Sequence, residues 1–333
     1  MPEVTFPIDF VITWVDQDDP KWIEKYSKYS KSNRDDESQI RFRDYGTLKY
    51  VFRGIDKYAP WVRKVYLVTD DQAPEWLEKE YSKLELISHS QIIDKEYLPT
   101  FNSNVIDLNL NNIPGLAEHF VYFNDDMFLN KVVQPTDFFD SMGKPKDTLG
   151  LNLIMPTGNF DHIYVNNISI INNKYNKRER MKSIFTKFFN FKNYEWNLFT
   201  AFTAVFPRFS RFYDPHIQLS FRKSDMEKIF TEFPQVQEST YPQRFRSIND
   251  YSIWIVRYYR MLSGDFSVRS AHFGKRYRLN DFEKAAKDIV KKQHKVVNVN
   301  DADGMSNEEY QLAIGRIVNA FDQDLSGKSS FEK

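Results

Sequence analysis

With 333 residues, a formal net charge of +0 and charged residues at 28%, the chain can bury a large core and carries no global field that favours nucleic acid. It contains no cysteine, which rules out disulfides and thiolate metal sites and agrees with a reducing cytosol. No run approaches the length of a membrane span and the N-terminal MPEVTFPIDF lacks a signal-peptide pattern, so the expectation is a soluble cytoplasmic protein.

In chain order, Ile8 to Val15 is a β-rich run ending in Asp16-Gln17-Asp18-Asp19-Pro20. The charged stretch Lys25 to Glu37 reads as a polar helix or an insertion. Thr47 can cap a helix with Leu48, Val51, Phe52 and Ile55 on one face. Val65 to Thr69 is a second strand, ending in Asp70 and Asp71, and Pro74 suits the first turn of a helix through PEWLEKEY. Leu84 to Ile87 is a third strand, and a helix over Ser103 to Asn112 precedes the turn Pro114-Gly115. The run His119 to Leu129, HFVYFNDDMFL, then places a strand covered on both faces directly before Asn124-Asp125-Asp126. Strands separated by helical segments imply crossover units, hence an α/β fold with a mostly parallel sheet flanked by helices.

Adjacent carboxylates repel unless a cation or hydrogen-bond donors offset them, and α/β sheets bind ligands at the carboxyl ends of their strands. Asp125 and Asp126 therefore point either to a divalent metal with a phosphorylated ligand or to a solvated turn. Three strands ending in acidic residues favour the metal.

The second half is less regular. Leu149 to Met155 and Tyr164 to Ile171 read as strands. The Lys-, Arg- and Phe-rich stretch 174–206 reads as helical from Arg180 onward. Capping boxes are legible at Ser224 with Glu227 and at Ser306 with Glu309. Phe282, Ala285, Ala286, Ile289 and Val290 form one apolar stripe, and Tyr310, Ile314, Ile317, Val318 and Phe321 another. Residues 1–265 are expected to form the catalytic domain, with a basic, Phe-rich helical insertion near 174–206. Residues 266–325 are read as a helical extension and 326–333 as a disordered tail. Asp322 to Lys333 looks superficially like a calcium loop, but its acidic residue, Glu332, falls one place early and no second helix follows.

Four blocks together resemble the Stealth family of sugar-1-phosphate transferases. They are Ile8 to Pro20; Arg41 to Leu77 continued by Leu98 to Leu129; Tyr213 to Lys223 reaching Arg244-Phe245-Arg246-Ser247; and NDYSIWIVRYY from Asn249. One departure lies in the first block, where Gln17 and Asp18 stand in place of the family's Gly and small polar residue. The resemblance implies a core like the glycosyltransferase-A, Rossmann-like enzymes with additional C-terminal helices, and a divalent cofactor, Mg²⁺ or Mn²⁺. It also implies transfer of a hexose-1-phosphate from a UDP-sugar donor to a hydroxyl of an oligosaccharide acceptor, lipid-linked or free. The products would be a phosphodiester and UMP, in capsular or exopolysaccharide biosynthesis.

Such a site must neutralise a pyrophosphate, activate a hydroxyl and hold the two in line. The family match makes Asp125 and Asp126 the leading candidates for metal ligands, either one meeting the ion while the other serves as a base, with Asp125 also a candidate catalytic group. His216, which matches the histidine of the third block, is a candidate base or phosphate donor. Arg246 can fork onto phosphate oxygens, with Arg244 the residue most easily confused with it. Asp250, from the fourth block, is expected in the first turn of a helix. Donor-binding candidates are Trp14 and Asp16 after the first strand, Arg41, Arg43 and Asp44 before the second helix, and Asn102 and Ser103, which also suit plain helix capping. The basic stretch from Lys174 to Lys192 is either an amphipathic helix on the core or a peripheral contact with an anionic membrane at the inner face of the plasma membrane. An ordinary metal-dependent glycosyltransferase, releasing UDP, is the alternative activity.

Overall fold

Apolar β-branched and aromatic runs set the sheet. In the computed structural model, which describes residues 3–30, 46–156, 158, 161–302 and 304–333, Ile8–Thr13 (β1), Val65–Thr69 (β2), Leu84–Ser88 (β3) and His119–Asn124 (β4) run parallel. Met127–Leu129 (β5), Lys146–Asp147 (β6), Leu151–Asn152 (β7) and Arg211–Phe212 (β8) are shorter. Leu219–Arg222 (β9) closes the central sheet antiparallel to β4, giving the order β3-β2-β1-β4-β9. Both faces are covered. Phe10, Ile12, Leu67, Val121 and Phe123 enter one apolar core, while Val11, Tyr66, Val68, Phe120 and Tyr122 enter another. This period-two division explains why the strands read as continuous apolar runs.

The register aligns Thr13 with Val68 and with Asn124, and Thr69 with Ser88. The segments after β1, β2 and β4 therefore leave the sheet along one edge. Strand order reverses at β1, which is joined to β2 on one side and β4 on the other, and a crevice opens at such a reversal.

Beyond Asp125-Asp126 the chain turns into β5, which pairs antiparallel with Val296–Asn300 (β12). Ser267–Val268 (β10) pairs with β6, and Gly274–Arg278 (β11) lies parallel to β12. The expected purely helical extension at 266–325 thus contains strands that continue the sheet carrying β5. Its two helices, Phe282–Lys291 and Asn307–Leu325, form as their apolar stripes predict, the second with the Ser306–Glu309 capping box. The tail expected to be disordered is packed. Phe331 is buried against Phe52 and Tyr81, and Arg53 donates to both Glu332 carboxylate oxygens at 2.8 Å.

Other departures have local causes. Residues 74–81 form turns, because Glu78 N–H and the Trp76 carbonyl bond to Phe331 and Lys333 instead of continuing a helix. The helix opened at Ser103 stops at Asp107, followed by a 3₁₀ turn at Leu110–Asn112. Tyr164 to Ile171 is part of a helix, His162–Lys174, whose buried Ile163, Asn167, Ile170 and Ile171 follow helical spacing. Only Leu151–Asn152 of the stretch 149–155 is strand. Ser224 does not cap its helix: its hydroxyl donates to Glu118. Asp250 precedes the helix Trp254–Ser263 rather than lying in its first turn.

Candidate active site

The crevice at the carboxyl edge of the sheet holds a cleft of about 650 Å³ whose lining includes Trp14, Ser103, Asp107, Asp125, His216 and Arg246. Five of these six were singled out from the sequence, and they come from segments spread over more than two hundred residues.

Asp125 and Asp126 occupy the turn between β4 and β5. The backbone of Asp126 is fixed from the C-terminal half: its carbonyl accepts from Val299 N–H at 3.0 Å and from Asn298 Nδ2 at 3.2 Å. Its Oδ2 accepts from Asn300 Nδ2 at 3.0 Å, and its buried Oδ1 has no hydrogen-bond donor among the described residues. A buried carboxylate oxygen left without a donor is costly unless a cation or ligand meets it. Among the described residues no cluster of three or more His, Asp or Glu is arranged to hold an ion. The two adjacent carboxylates fit instead a hard cation that takes few protein ligands and completes its shell with water and phosphate oxygens.

His216 stands at the approach to β9 with φ +47°, an unusual backbone for a residue with a Cβ. Its Nε2 lies 4.0 Å from Asp126 Oδ2. Burial lowers its pKa below the ordinary histidine value, and Arg276 and Arg246 push the same way against the pull of Asp126. The imidazole is therefore neutral at pH 7 and able to take a proton.

Arg246 enters from the loop before the helix Trp254–Ser263 and donates from Nη2 to Ser103 Oγ at 2.8 Å. Arg244 is spent on the fold, donating to the Pro99 carbonyl at 2.9 Å while its own carbonyl accepts from Phe101 N–H. Asn102 and Asp250 lie behind the cleft, both fully buried. Asn102 caps the helix at Ser103 through Asn104 N–H and donates from Nδ2 to Asp250 Oδ2 at 2.8 Å. Asp250 also accepts from Asn104 Nδ2 and Ser247 N–H. Burial raises its pKa, against the lowering effect of those donors. This knot ties the Arg246 loop to the Ser103 turn and leaves both residues outside the cleft lining, with Asp250 Oδ1 lacking a donor among the described residues.

Trp14 is buried in the cleft wall, with its indole Nε1 lacking an acceptor among the described residues. Asp16 is turned into its own loop: its N–H and carbonyl bond to the Gln72 side chain and its Oδ1 accepts from Asp18 N–H. Asp70, at the end of β2, is paired with Lys25 at 2.6 Å. Of the three acidic strand ends, only the one after β4 thus presents a carboxylate to the cleft. Arg41, Arg43 and Asp44 lie outside the described residues.

The reading of the sequence missed Asp107. Burial pushes its pKa up to about 7, only partly offset by the Tyr122 hydroxyl and by Arg246. That hydroxyl lies 2.9 Å from Asp107 and also contacts Asn124, beside the paired aspartates. The signal was present: Asp107 is four residues after Ser103 on one helix, so the two share a face.

Known proteins resemble this chain over most of its length. Residues 6–34 match the model of Stealth protein conserved region 1 and residues 41–147 that of conserved region 2. The chain is 45% identical to an exopolysaccharide phosphotransferase, cps2G, of Lactiplantibacillus plantarum, covering 98% of this chain and 97% of that one. It is 36% identical to the capsular polysaccharide phosphotransferase WcwK of Streptococcus pneumoniae, over 98% of each. It is 38% identical to the receptor polysaccharide phosphotransferase WefC of Streptococcus oralis, over 98% and 99%. Among solved structures, the galactosyltransferase LgtC in complex with donor and acceptor sugar analogs aligns over 95% of both chains at TM-score 0.41 and 10% identity, too distant to carry an argument.

Proposed function

The chain belongs to the Stealth family, and on that premise we propose that it transfers a sugar-1-phosphate from a UDP-sugar to a hydroxyl of an oligosaccharide acceptor in capsule or exopolysaccharide assembly. The observation that carries this reading is the meeting of Asp125, Asp126, His216 and Arg246 at one cleft edge. A pyrophosphate needs cationic and metal-bound charge there, and an acceptor hydroxyl needs a base.

The acceptor oxygen attacks the β-phosphorus. Its proton passes to Nε2 of neutral His216, and the Asp126 carboxylate 4.0 Å away favours the imidazolium that forms. The bond from the β-phosphorus to the bridging oxygen breaks, and UMP leaves with that oxygen. Arg246, oriented by Ser103 and by the Asn102–Asp250 knot behind it, meets the charge growing on the phosphoryl oxygens. Asp125 and Asp126 would hold Mg²⁺ or Mn²⁺, which when bound neutralises the pyrophosphate. Trp14 and Val15 line the cleft where the uracil would pack.

The test is the nucleotide released from a panel of UDP-sugars with Mg²⁺ and an acceptor oligosaccharide. UMP is expected. UDP would mean that the sugar leaves without its phosphate and would overturn the proposal.

A further inference from the structure

The helix Trp196–Ala204 is folded with its polar side inward. Thr200 and Thr203 are its buried residues, whereas Leu198, Phe202 and the following Val205 are 76%, 62% and 74% exposed. The inward side is well satisfied. Thr200 Oγ accepts from Leu151 N–H at 3.1 Å, and Thr203 Oγ donates to the Phe199 carbonyl at 2.8 Å. The Thr203 carbonyl, at the C-terminal end where helix carbonyls lack partners, accepts from the buried Lys177 ammonium at 2.5 Å. Phe191, 79% exposed, and Phe185 extend the same outward apolar character along the preceding turns.

Contiguous exposed aromatic and aliphatic side chains of this kind mark an interaction surface. From Trp196 to Pro207 the chain carries no charge at all, while residues 174–195 and 208–211 on either side hold nine Lys or Arg against two acids, Glu179 and Glu195, with Arg178, Lys182 and Arg208 exposed. An apolar face with basic flanks complements an anionic lipid surface.

We propose that this face docks on an anionic bilayer, with Leu198, Phe202 and Val205 entering the headgroup–acyl boundary. The helix also touches the segment that leads to the cleft. Trp196 stacks on Tyr213 at 4.0 Å, three residues before His216, and Arg211 lies 3.5 Å over the ring of Tyr164, which lines the cleft. That an acceptor reaches the cleft from the bilayer rests on the function proposed above, whereas docking does not, and binding is measured without turnover.

The experiment is flotation of the purified full chain with vesicles of phosphatidylcholine and phosphatidylglycerol in equal parts, and with phosphatidylcholine alone. The chain is expected to float with the anionic vesicles. Leu198→Gln with Phe202→Gln should weaken binding at least about tenfold, since each loses a buried apolar side chain. Arg178→Glu with Lys182→Glu should weaken it roughly fivefold for each charge removed. Both variants change exposed residues, so unaltered circular dichroism and UMP release toward a soluble acceptor are expected alongside. Absence of flotation by the wild type, or flotation indifferent to the Leu198 and Phe202 substitutions, would overturn the proposal. So would sedimentation in which those substitutions dissolve a dimer of a chain that binds no vesicle, which would assign the face to a second copy.

Discussion

Two groups among the buried acids of this molecule are supplied differently. Beneath the helix Trp254–Ser263, Asp147 accepts from Arg257 Nε at 2.8 Å and from Arg260 Nη2 at 3.1 Å, and Asp214 accepts from Arg257 Nη1 at 3.1 Å and from the Tyr258 hydroxyl. Against the opposing effect of burial, Arg257 and Arg260 hold Asp147 below the ordinary carboxylate value. At the sheet edge, Asp107 has a phenol for its neighbour, and Asp126 keeps one buried oxygen without a donor among the described residues. Charges paired in the fold serve to hold it together. Carboxylates left short of donors at a cleft are available to something that binds there.

The comparison breaks most plainly at Asp147. Asp147→Asn leaves Arg257 and Arg260 as buried cations short of charge, and should lower unfolding free energy by about 3–5 kcal/mol, read by urea denaturation. A loss near zero would mean that the pairing contributes no more to the fold than the cleft does.

Asp126→Asn should do the reverse. Transition-state charge stabilisation lost at one position costs about 10²–10³-fold in kcat, read as UMP release, while unfolding free energy stays within about 1 kcal/mol because Oδ1 has no partner to lose. Strong destabilisation with ordinary activity would return Asp126 to the structural set.

Asp107 sharpens the contrast through pH. Its folded-state pKa is raised from 3.8 to about 7, so between those values the folded chain keeps a proton that the unfolded chain has released. Stability contributed by this group is therefore lost as pH rises from about 4 to about 7. Asp107→Asn, which stays neutral, should be more stable than wild type at pH 8 by about 2–4 kcal/mol and no more stable at pH 4. Equal urea midpoints for the two chains at pH 8 would show that burial does not raise the Asp107 pKa.

The paired set was far less legible in the sequence than the cleft. Local pattern beside a strand end located Asp125-Asp126, the resemblance to the Stealth family located His216 and Arg246, and the continuous apolar runs located β1, β2, β3 and β4. Partners distant in sequence were not legible. Nothing near Asp147 foretells Arg257, and nothing near Pro74 foretells that Phe331 and Lys333 take the hydrogen bonds a helix there would have used. The run Tyr164 to Ile171 carries β-branched residues, yet packing against the helix Trp254–Ser263 overrides that preference. Asn102 and Asp250 were picked as site residues, but only the fold separates a residue facing the cleft from one buried behind it.

The smallest expected effect concerns what holds Arg246 in place. Ser103→Ala removes a neutral acceptor 2.8 Å from Nη2, worth about 1 kcal/mol, and leaves the Asn102–Asp250 knot intact. If the guanidinium works on charge that grows during phosphoryl transfer, the loss appears in kcat and kcat/KM together, about fivefold, with KM for the UDP-sugar unchanged. A rise in KM alone would place Arg246 on the ground-state pyrophosphate instead, and the charge developing in the transition state would then be left to the cation that Asp125 and Asp126 are proposed to hold. Because Ser103 is partly exposed, the variant should unfold at the same urea concentration as wild type, which keeps the kinetic split separate from any loosening of the fold.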